Sequence, residues 1–160
     1  MTTDGFTTCL WFDGRAEEAA LFYVSVFKNS GIGRIGRYSE AGPGPAGSVL
    51  VVEFTANGQK FVALNGGPQF TFNEAISFQL YCDDQEEVDH YWSVLTENGG
   101  SPGPCGWLKD RYGVSWQIIP EGMIELISDP DPRKAARATE AMLAMGKLDL
   151  AAVRRAHAGE

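Results

Sequence analysis

The sequence predicts an α+β protein made of two tandem β-α-β-β-β modules and a C-terminal helical tail. The main observation is that a strand-helix order in the first half of the chain recurs after roughly seventy residues. A second observation is the run Asp129-Pro130-Asp131-Pro132, in which Pro suits the start of a helix. The segment after this run is rich in Ala and Met, which favour helices. We expect a single domain over residues 1–160, with module one at about 5–68, module two at about 75–128 and the tail at about 130–160.

The first module begins with a strand and a helix. Phe6–Phe12 is rich in Thr and aromatic residues, which favour strands. Between Ala16 and Phe27, apolar residues recur at the spacing of an amphipathic helix. Asn57-Gly58 is a strong hairpin signal between two of the remaining strands. Those three strands are predicted at Ile32–Tyr38, Ser48–Ala56 and Gln59–Leu64.

The second module repeats this beginning. Ile76–Cys82 predicts a strand, and Asp83-Asp84 offers N-cap chemistry for a second helix whose apolar face includes Val88 and Leu95. The rest of the chain is predicted as a loop at Ser101–Gly106, strands at Trp107–Lys109 and Val114–Ile119, a strand or helical turn at Glu121–Ser128, and helices at Arg133–Met145 and Leu148–Ala158.

The composition is that of a soluble globular protein, with 44% hydrophobic and 21% charged residues. A net charge of −8 argues against nucleic acid and anionic membrane surfaces as partners, since both attract basic patches. The apolar runs are too short to span a bilayer, and the N-terminus has no signal-peptide pattern. Cys9, Cys82 and Cys105 cannot all pair and lack zinc-site spacing, so we expect a reducing cytoplasm.

The stretch Cys105–Pro120, CGWLKDRYGVSWQIIP, combines aromatic residues, a Gly-containing turn and a strand. Within the strand, Trp116 and Ile118 alternate with Gln117, so the two faces differ in chemistry. Two interpretations stay open: this strand forms the wall of a ligand pocket, or it belongs to the core. Asp110 and Arg111 are expected to be turn residues with a surface ion pair.

Four segments give the chain a family resemblance: CLWFDGRAEEAALFY, EFTANGQKFVALNGGPQFTFNEAISFQ, CGWLKDRYGVSWQIIP and DPDPRKAARATEAMLAMGKLDL. Together they resemble the PhnB-like group that carries the label "3-demethylubiquinone-9 3-methyltransferase domain". This group is part of the vicinal oxygen chelate superfamily, with glyoxalase I, bleomycin-resistance proteins and extradiol dioxygenases. The resemblance implies the glyoxalase-like fold of tandem β-α-β-β-β modules, a homodimer and a small-molecule ligand.

The sequence argues against methyl transfer despite the label. A methyltransferase of the doubly wound kind needs a Gly-rich turn between a first strand and a helix. The stretch Gly33–Gly36 has neither the spacing nor the following helix. We therefore disfavour this activity.

The resemblance also implies positions for a metal. Active members of the superfamily place His, His and Glu on the first, fifth and last strands. These positions fall on Thr7 or Thr8, on about Ser77, and on Gln117. Two hydroxyls and an amide do not hold zinc or iron tightly, so we expect no metal and no other cofactor. The two histidines, His90 and His157, are expected to be solvated surface groups.

The aromatic and amide residues near these positions suit a planar or apolar small molecule. The alternative is that they only fill the interior of the fold. Cys105 is expected to be structural, because no group that would lower its pKa is visible. Glu53 is expected to be either a lone carboxylate in the cup or a solvent-facing residue. The candidate pocket consists of Trp11, Asn65, Gln79, Trp107, Tyr112, Trp116 and Gln117.

Three functions remain in competition. The first is a metal-free protein that binds a small molecule as a homodimer, by analogy with bleomycin resistance. The second is a metal-dependent lyase, isomerase or dioxygenase with other ligands, such as Glu53 with Gln79 or Gln117. The third is a purely structural or regulatory module whose dimer surface or tail is the functional part, with Leu148, Leu150 and Val153 docking on a partner or on the sister chain. Whether the protein is an enzyme is left open, since no complete catalytic set is visible.

Overall fold

The computed structural model describes residues 5–160 and divides the chain into two compact units, Met1–Thr71 and Phe72–Glu160. The first unit contains strand β1, helix α1 and strands β2, β3 and β4. Their bounds are Thr8–Phe12 for β1, Ala16–Val26 for α1, Gly31–Arg37 for β2, Val49–Ala56 for β3 and Gln59–Asn65 for β4. The strands form one sheet in the order β1-β4-β3-β2, in which β1 runs parallel to β4 and the other pairs are antiparallel.

One face of the first sheet is buried against α1. Val52, Phe54 and Ala63 are at most 4% exposed, and the ring of Tyr23 on α1 stacks on Phe54 with centroids 6.0 Å apart. The alternate residues of these strands, such as Glu53, are only half-buried. Because successive side chains of a strand point to opposite faces, the sheet has one face packed on the helix and one open face.

The second unit contains strand β5, helix α2, strands β6 to β8 and helices α3 to α5. Their bounds are Ser77–Cys82 for β5, Gln85–Thr96 for α2, Ser101–Pro102 for β6, Trp107–Lys109 for β7, Ser115–Pro120 for β8, Met123–Ile127 for α3, Pro132–Leu143 for α4 and Leu150–Ala158 for α5. The sheet order is β5-β8-β7-β6, with β5 parallel to β8. The α+β class with tandem glyoxalase-like modules and a helical tail is therefore confirmed.

Most predicted elements appear within two residues of their predicted ends. Asp84 is the N-cap of α2, where its side chain accepts a hydrogen bond from the backbone N–H of Glu87, as expected. The prediction of a loop at Ser101–Gly106 is wrong in part, because its first two residues pair with β7 as β6. Glu121–Ser128 contains a helix and no strand. The module boundaries and the single domain stay predictions.

The helical tail packs on the end of β8. Ile119 and Met123 form a buried cluster with residues of α4 and α5, including Ala138 and Val153. The side-chain amide of Gln85 also holds the tail, because its Nε2 donates to the Leu148 carbonyl at 2.9 Å and its Oε1 accepts from the backbone N–H of Leu150 at 3.1 Å. Across residues 5–160, no helix has the length and apolar character needed to cross a membrane.

Candidate functional site

The two faces of the second sheet differ in chemistry. Trp116 and Ile118 of β8 are buried, and α2 packs against this strand with Val88 and Leu95 fully buried. Gln117 lies between them in sequence and therefore on the opposite, open face. The register places Gln79 of β5 and Trp107 of β7 on either side of Gln117. Three of the predicted pocket residues thus share one sheet face.

A chain of hydrogen bonds crosses this open face. Gln117 Nε2 donates to Ser77 Oγ at 2.8 Å, and Gln79 Nε2 donates to Gln117 Oε1 at 3.4 Å. The hydroxyl of Tyr81 donates to Gln79 Oε1 at 3.2 Å. We name Ser77, Gln79, Tyr81 and Gln117 the amide row. Each amide nitrogen in the row has a second N–H, so the row can still donate to a ligand.

Sequence reasoning did not select Tyr81 as a site residue. Its side chain is 56% exposed and lies on the open face two residues after Gln79. The period-2 spacing from Gln79 was the signal that could have found it, because residues i and i+2 of a strand share a face.

Asp110 organises the turn between β7 and β8. It is 2% exposed, and its carboxylate accepts hydrogen bonds from the backbone N–H groups of Tyr112 and Val114 and from Trp116 Nε1 at 2.9 Å. The expectation of a surface position for Asp110 is therefore wrong, because the turn closes over the carboxylate and the indole N–H reaches it. A buried carboxylate is tolerated where several donors satisfy it.

The remaining predicted pocket residues of this unit have different surroundings. Trp116 is in the core, where its ring lies 5.2 Å from that of Phe78 and its N–H is bonded to Asp110. Tyr112 is half-buried in the turn. Trp107 is half-buried on the open face beside Gln117. Trp107 and the amide row thus lie on the open face, whereas the indole of Trp116 is part of the core.

Trp11 and Asn65 lie in the first unit. Trp11 Nε1 donates to the Gly67 carbonyl at 2.8 Å, and the side chain lines a cleft of about 390 Å³ together with Asn65. Asn65 Oδ1 accepts from the backbone N–H of Ala16 at 2.9 Å, while its Nδ2 donates to the Val49 carbonyl. The amide of Asn65 thus holds the start of α1, and contact with a ligand stays a prediction for both residues.

A larger cleft of about 1040 Å³ lies along β2, β3 and β4 of the first unit. Glu53 lines it and forms an ion pair with Arg34, with 2.7 Å between Oε1 and Nη2. This hydrogen bond and the charge of Glu53 raise the pKa of Arg34. The expectation of a lone carboxylate at Glu53 is therefore wrong, because Arg34 neutralises it.

The residues at the superfamily's metal positions do not fit a divalent metal. Ser77 and Gln117 offer a hydroxyl and an amide, and these two groups already bond each other. Thr7 and Thr8, the two candidates at the start of β1, each offer only a hydroxyl, which is a weak metal ligand. Within residues 5–160, no group of three His, Cys, Asp or Glu side chains could hold a metal ion. The prediction of a metal-free site rests on this donor chemistry.

The histidines and Cys105 have local roles. His90 is exposed, as expected. His157 is not a solvated group, because its Nε2 lies 2.8 Å from Asp129 Oδ2 and its side chain is 18% exposed. Cys105 is half-buried, and its thiol is directed at the Leu143 carbonyl at 3.7 Å.

The Asp129 carboxylate is held in its charged form. The backbone N–H of Asp131 donates to it at 2.8 Å, and His157 bonds its other oxygen. The Asp131 hydrogen bond, followed by that of His157, holds the pKa of the Asp129 carboxyl below its usual value. This contact joins the end of α5 to the segment before α4.

Comparisons with known proteins agree with this fold. Residues 4–119 match the family model described as 3-demethylubiquinone-9 3-methyltransferase. The PhnB protein from Bacillus cereus, described as a 3-demethylubiquinone-9 3-methyltransferase, is 40% identical; the match covers 73% of this chain and 99% of that one, with a TM-score of 0.65. No curated protein is similar enough in sequence to match the chain.

Two more distant structures share the fold alone. A Pseudomonas aeruginosa protein is 19% identical over 74% of this chain and 98% of its own, with a TM-score of 0.59. The fosfomycin resistance protein FosX from Listeria monocytogenes is 13% identical over 78% of this chain and 98% of its own, with a TM-score of 0.52. The family match and the Bacillus cereus relative together show that the chain belongs to the PhnB-like, 3-demethylubiquinone-9 3-methyltransferase family.

Proposed function

We propose that the protein binds a planar small molecule on the open face of its second sheet, without the superfamily's metal. The observation that carries the proposal is the amide row, a hydrogen-bonded set of uncharged polar groups beside a half-buried tryptophan. Trp107 would stack on the ligand's ring, and the second N–H groups of Gln79 and Gln117 would donate to a ligand oxygen.

Uncharged donors favour binding over metal catalysis. A divalent metal prefers imidazole or carboxylate ligands, whereas the row supplies hydroxyl and amide groups. Methyl transfer is disfavoured for a separate reason, since the two four-stranded sheets are mixed and neither is the mainly parallel, doubly wound sheet of such a methyltransferase. The family's methyltransferase name therefore gives no support to that activity in this chain.

A titration monitored by NMR tests the proposal. Benzamide is planar and carries one amide, whereas cyclohexanecarboxamide has the same amide on a puckered ring. We expect benzamide to shift the side-chain amide signals of Gln79 and Gln117 and to bind more tightly than cyclohexanecarboxamide. Stacking on an aromatic side chain contributes about 0.5–1.5 kcal/mol, which corresponds to roughly 2- to 12-fold in Kd.

Two variants make the test specific. Trp107→Leu should remove the preference for the planar ring, and Gln117→Leu should weaken both probes. Trp92→Leu is the matched control, because Trp92 is a half-buried tryptophan of α2, outside the open face. Equal binding of the two probes, or a Trp92→Leu effect as large as that of Trp107→Leu, contradicts the proposal.

We also propose that the protein works as a homodimer in the cytoplasm. The dimer is inferred from the family resemblance. The location is inferred from the three cysteines, Cys9, Cys82 and Cys105, which are all free thiols. Light scattering after size-exclusion chromatography measures the mass directly. A mass of 17.4 kDa, that of one chain, contradicts the dimer.

A further inference from the structure

A second set of polar groups lies at the Ser77 end of the amide row. The register pairs Ser77 of β5 with Ser115 of β8, and Ser115 with Lys109 of β7. Ser115 lies two residues before Gln117 on β8, and Lys109 lies two residues after Trp107 on β7. Residues i and i+2 of a strand share a face, so Ser115 and Lys109 lie on the open face. We name Ser77, Ser115 and Lys109 the acid corner, since three possible donors lie side by side at one level of the sheet.

The two hydroxyls of the acid corner have unused hydrogen-bonding capacity. Ser77 Oγ accepts from Gln117 Nε2, which leaves its own proton to donate. Ser115 is 1% exposed, and within the described part of the chain its Oγ has no hydrogen-bond partner. Buried hydroxyls without a partner are uncommon in native proteins and call for an explanation.

The ammonium group of Lys109 already holds a carboxylate. Its Nζ forms an ion pair with Glu74, which lies three residues before Ser77 in the segment that leads into β5. Lys109 and Glu74 are 40% and 60% exposed at their side chains. Exposed ion pairs contribute little net free energy, so an incoming acid can replace Glu74 at small cost.

We propose that the ligand is a planar carboxylic acid whose carboxylate takes the place of Glu74 on Lys109 and accepts the protons of Ser77 and Ser115. In the free protein, the Glu74 carboxylate then occupies the position of the ligand's carboxylate on Lys109. When the ligand binds, Glu74 and the segment before β5 move away from Lys109. The ring would lie along Trp107 and the amide row. This inference rests on the proposed function and adds the charge of the ligand to it.

A matched pair of probes tests the inference, since benzoate and benzamide share a ring and differ in charge. We expect benzoate to bind the wild type more tightly than benzamide. Lys109→Met should weaken benzoate and leave benzamide unchanged. Glu74→Gln should tighten benzoate by roughly 1.4- to 5-fold, the factor that corresponds to an exposed ion pair, because the competing carboxylate is gone.

Ser115→Ala gives a readout that a purely structural role would not produce. Removing an unpartnered buried hydroxyl should raise the thermal midpoint of the free protein while weakening benzoate. A lower midpoint would show that the hydroxyl has a partner in the free protein and would contradict the inference. Lys147→Met is the control, because Lys147 forms a similar surface ion pair with Asp89 away from the open face.

The outcomes separate the inference from the proposed function. If benzamide still shifts the Gln117 amide but neither Lys109→Met nor Glu74→Gln changes benzoate binding, the inference is overturned and the proposed function stands. If benzoate binding depends on Lys109 but not on Gln117, the carboxylate contact at the acid corner stands and the role of the amide row is contradicted. Absence of binding by both probes at millimolar concentration overturns both.

Discussion

Replacing Asp110 by Asn tests the turn that positions Trp107, Lys109 and Gln117. In the wild type, Oδ1 accepts from the N–H groups of Tyr112 and Val114 at 2.9 and 3.1 Å, and Oδ2 accepts from Trp116 Nε1 at 2.9 Å. Asn keeps one oxygen for the two backbone donors. Its amide nitrogen then faces the indole N–H, so a hydrogen bond becomes a contact between two donors.

The expected cost follows from this geometry. One hydrogen bond to a charged acceptor is lost in a buried site, which costs about 1.5–3 kcal/mol of unfolding free energy. Asp110→Ala leaves all three donors without this acceptor and should cost more, about 4 kcal/mol. Because small domains have only about 5–15 kcal/mol in total, either loss is easily measured.

Urea unfolding monitored by circular dichroism gives the free energies, provided that the m-values agree. A double-mutant cycle with Trp116→Phe isolates the bond between carboxylate and indole. The coupling between Asp110→Asn and Trp116→Phe should be about 1–2 kcal/mol, as expected for residues in direct contact. Additive effects would refute the claim that the indole N–H anchors the turn.

Three further predictions concern other parts of the fold. Gly66→Ala should destabilise the first unit and change the fluorescence of Trp11, because a Cβ at this position would lie 2.3 Å from the Trp11 ring; an unchanged emission spectrum would argue against this contact. Asp129 has a lowered pKa in the folded state, so its stabilising effect is complete above its unfolded pKa and is lost as the pH falls through the lower folded value. The unfolding free energy of Asp129→Asn should therefore depend less on pH in this acid range than that of the wild type, and parallel curves would contradict this. Gln85→Leu removes both hydrogen bonds to the tail and should increase hydrogen exchange in α5 before the rest of the chain, with the exposed neighbour Glu86→Gln as a control; uniform exchange would count against a local role.

The candidate site was partly predictable. Alternation along Ser115–Pro120 separated Gln117 from Trp116, and the structure shows these two residues on opposite faces. The sequence nevertheless suggested one pocket for both, since alternation distinguishes two faces without showing which of them packs against a helix. The acid corner was not predicted, because Ser77, Ser115 and Lys109 come from three strands whose pairing is not visible in the sequence.

The sequence by itself determined the elements and their order, because hydrophobic period, turn residues and capping residues act over a few neighbours. The start of α2 at Asp84 and the hairpin at Asn57-Gly58 are examples. Only the tertiary structure decided that the turn buries Asp110 and that Gln117 bonds Ser77, forty positions earlier. The physical reason is that strand register and the closure of a turn depend on how distant segments pack, and local patterns do not contain that information.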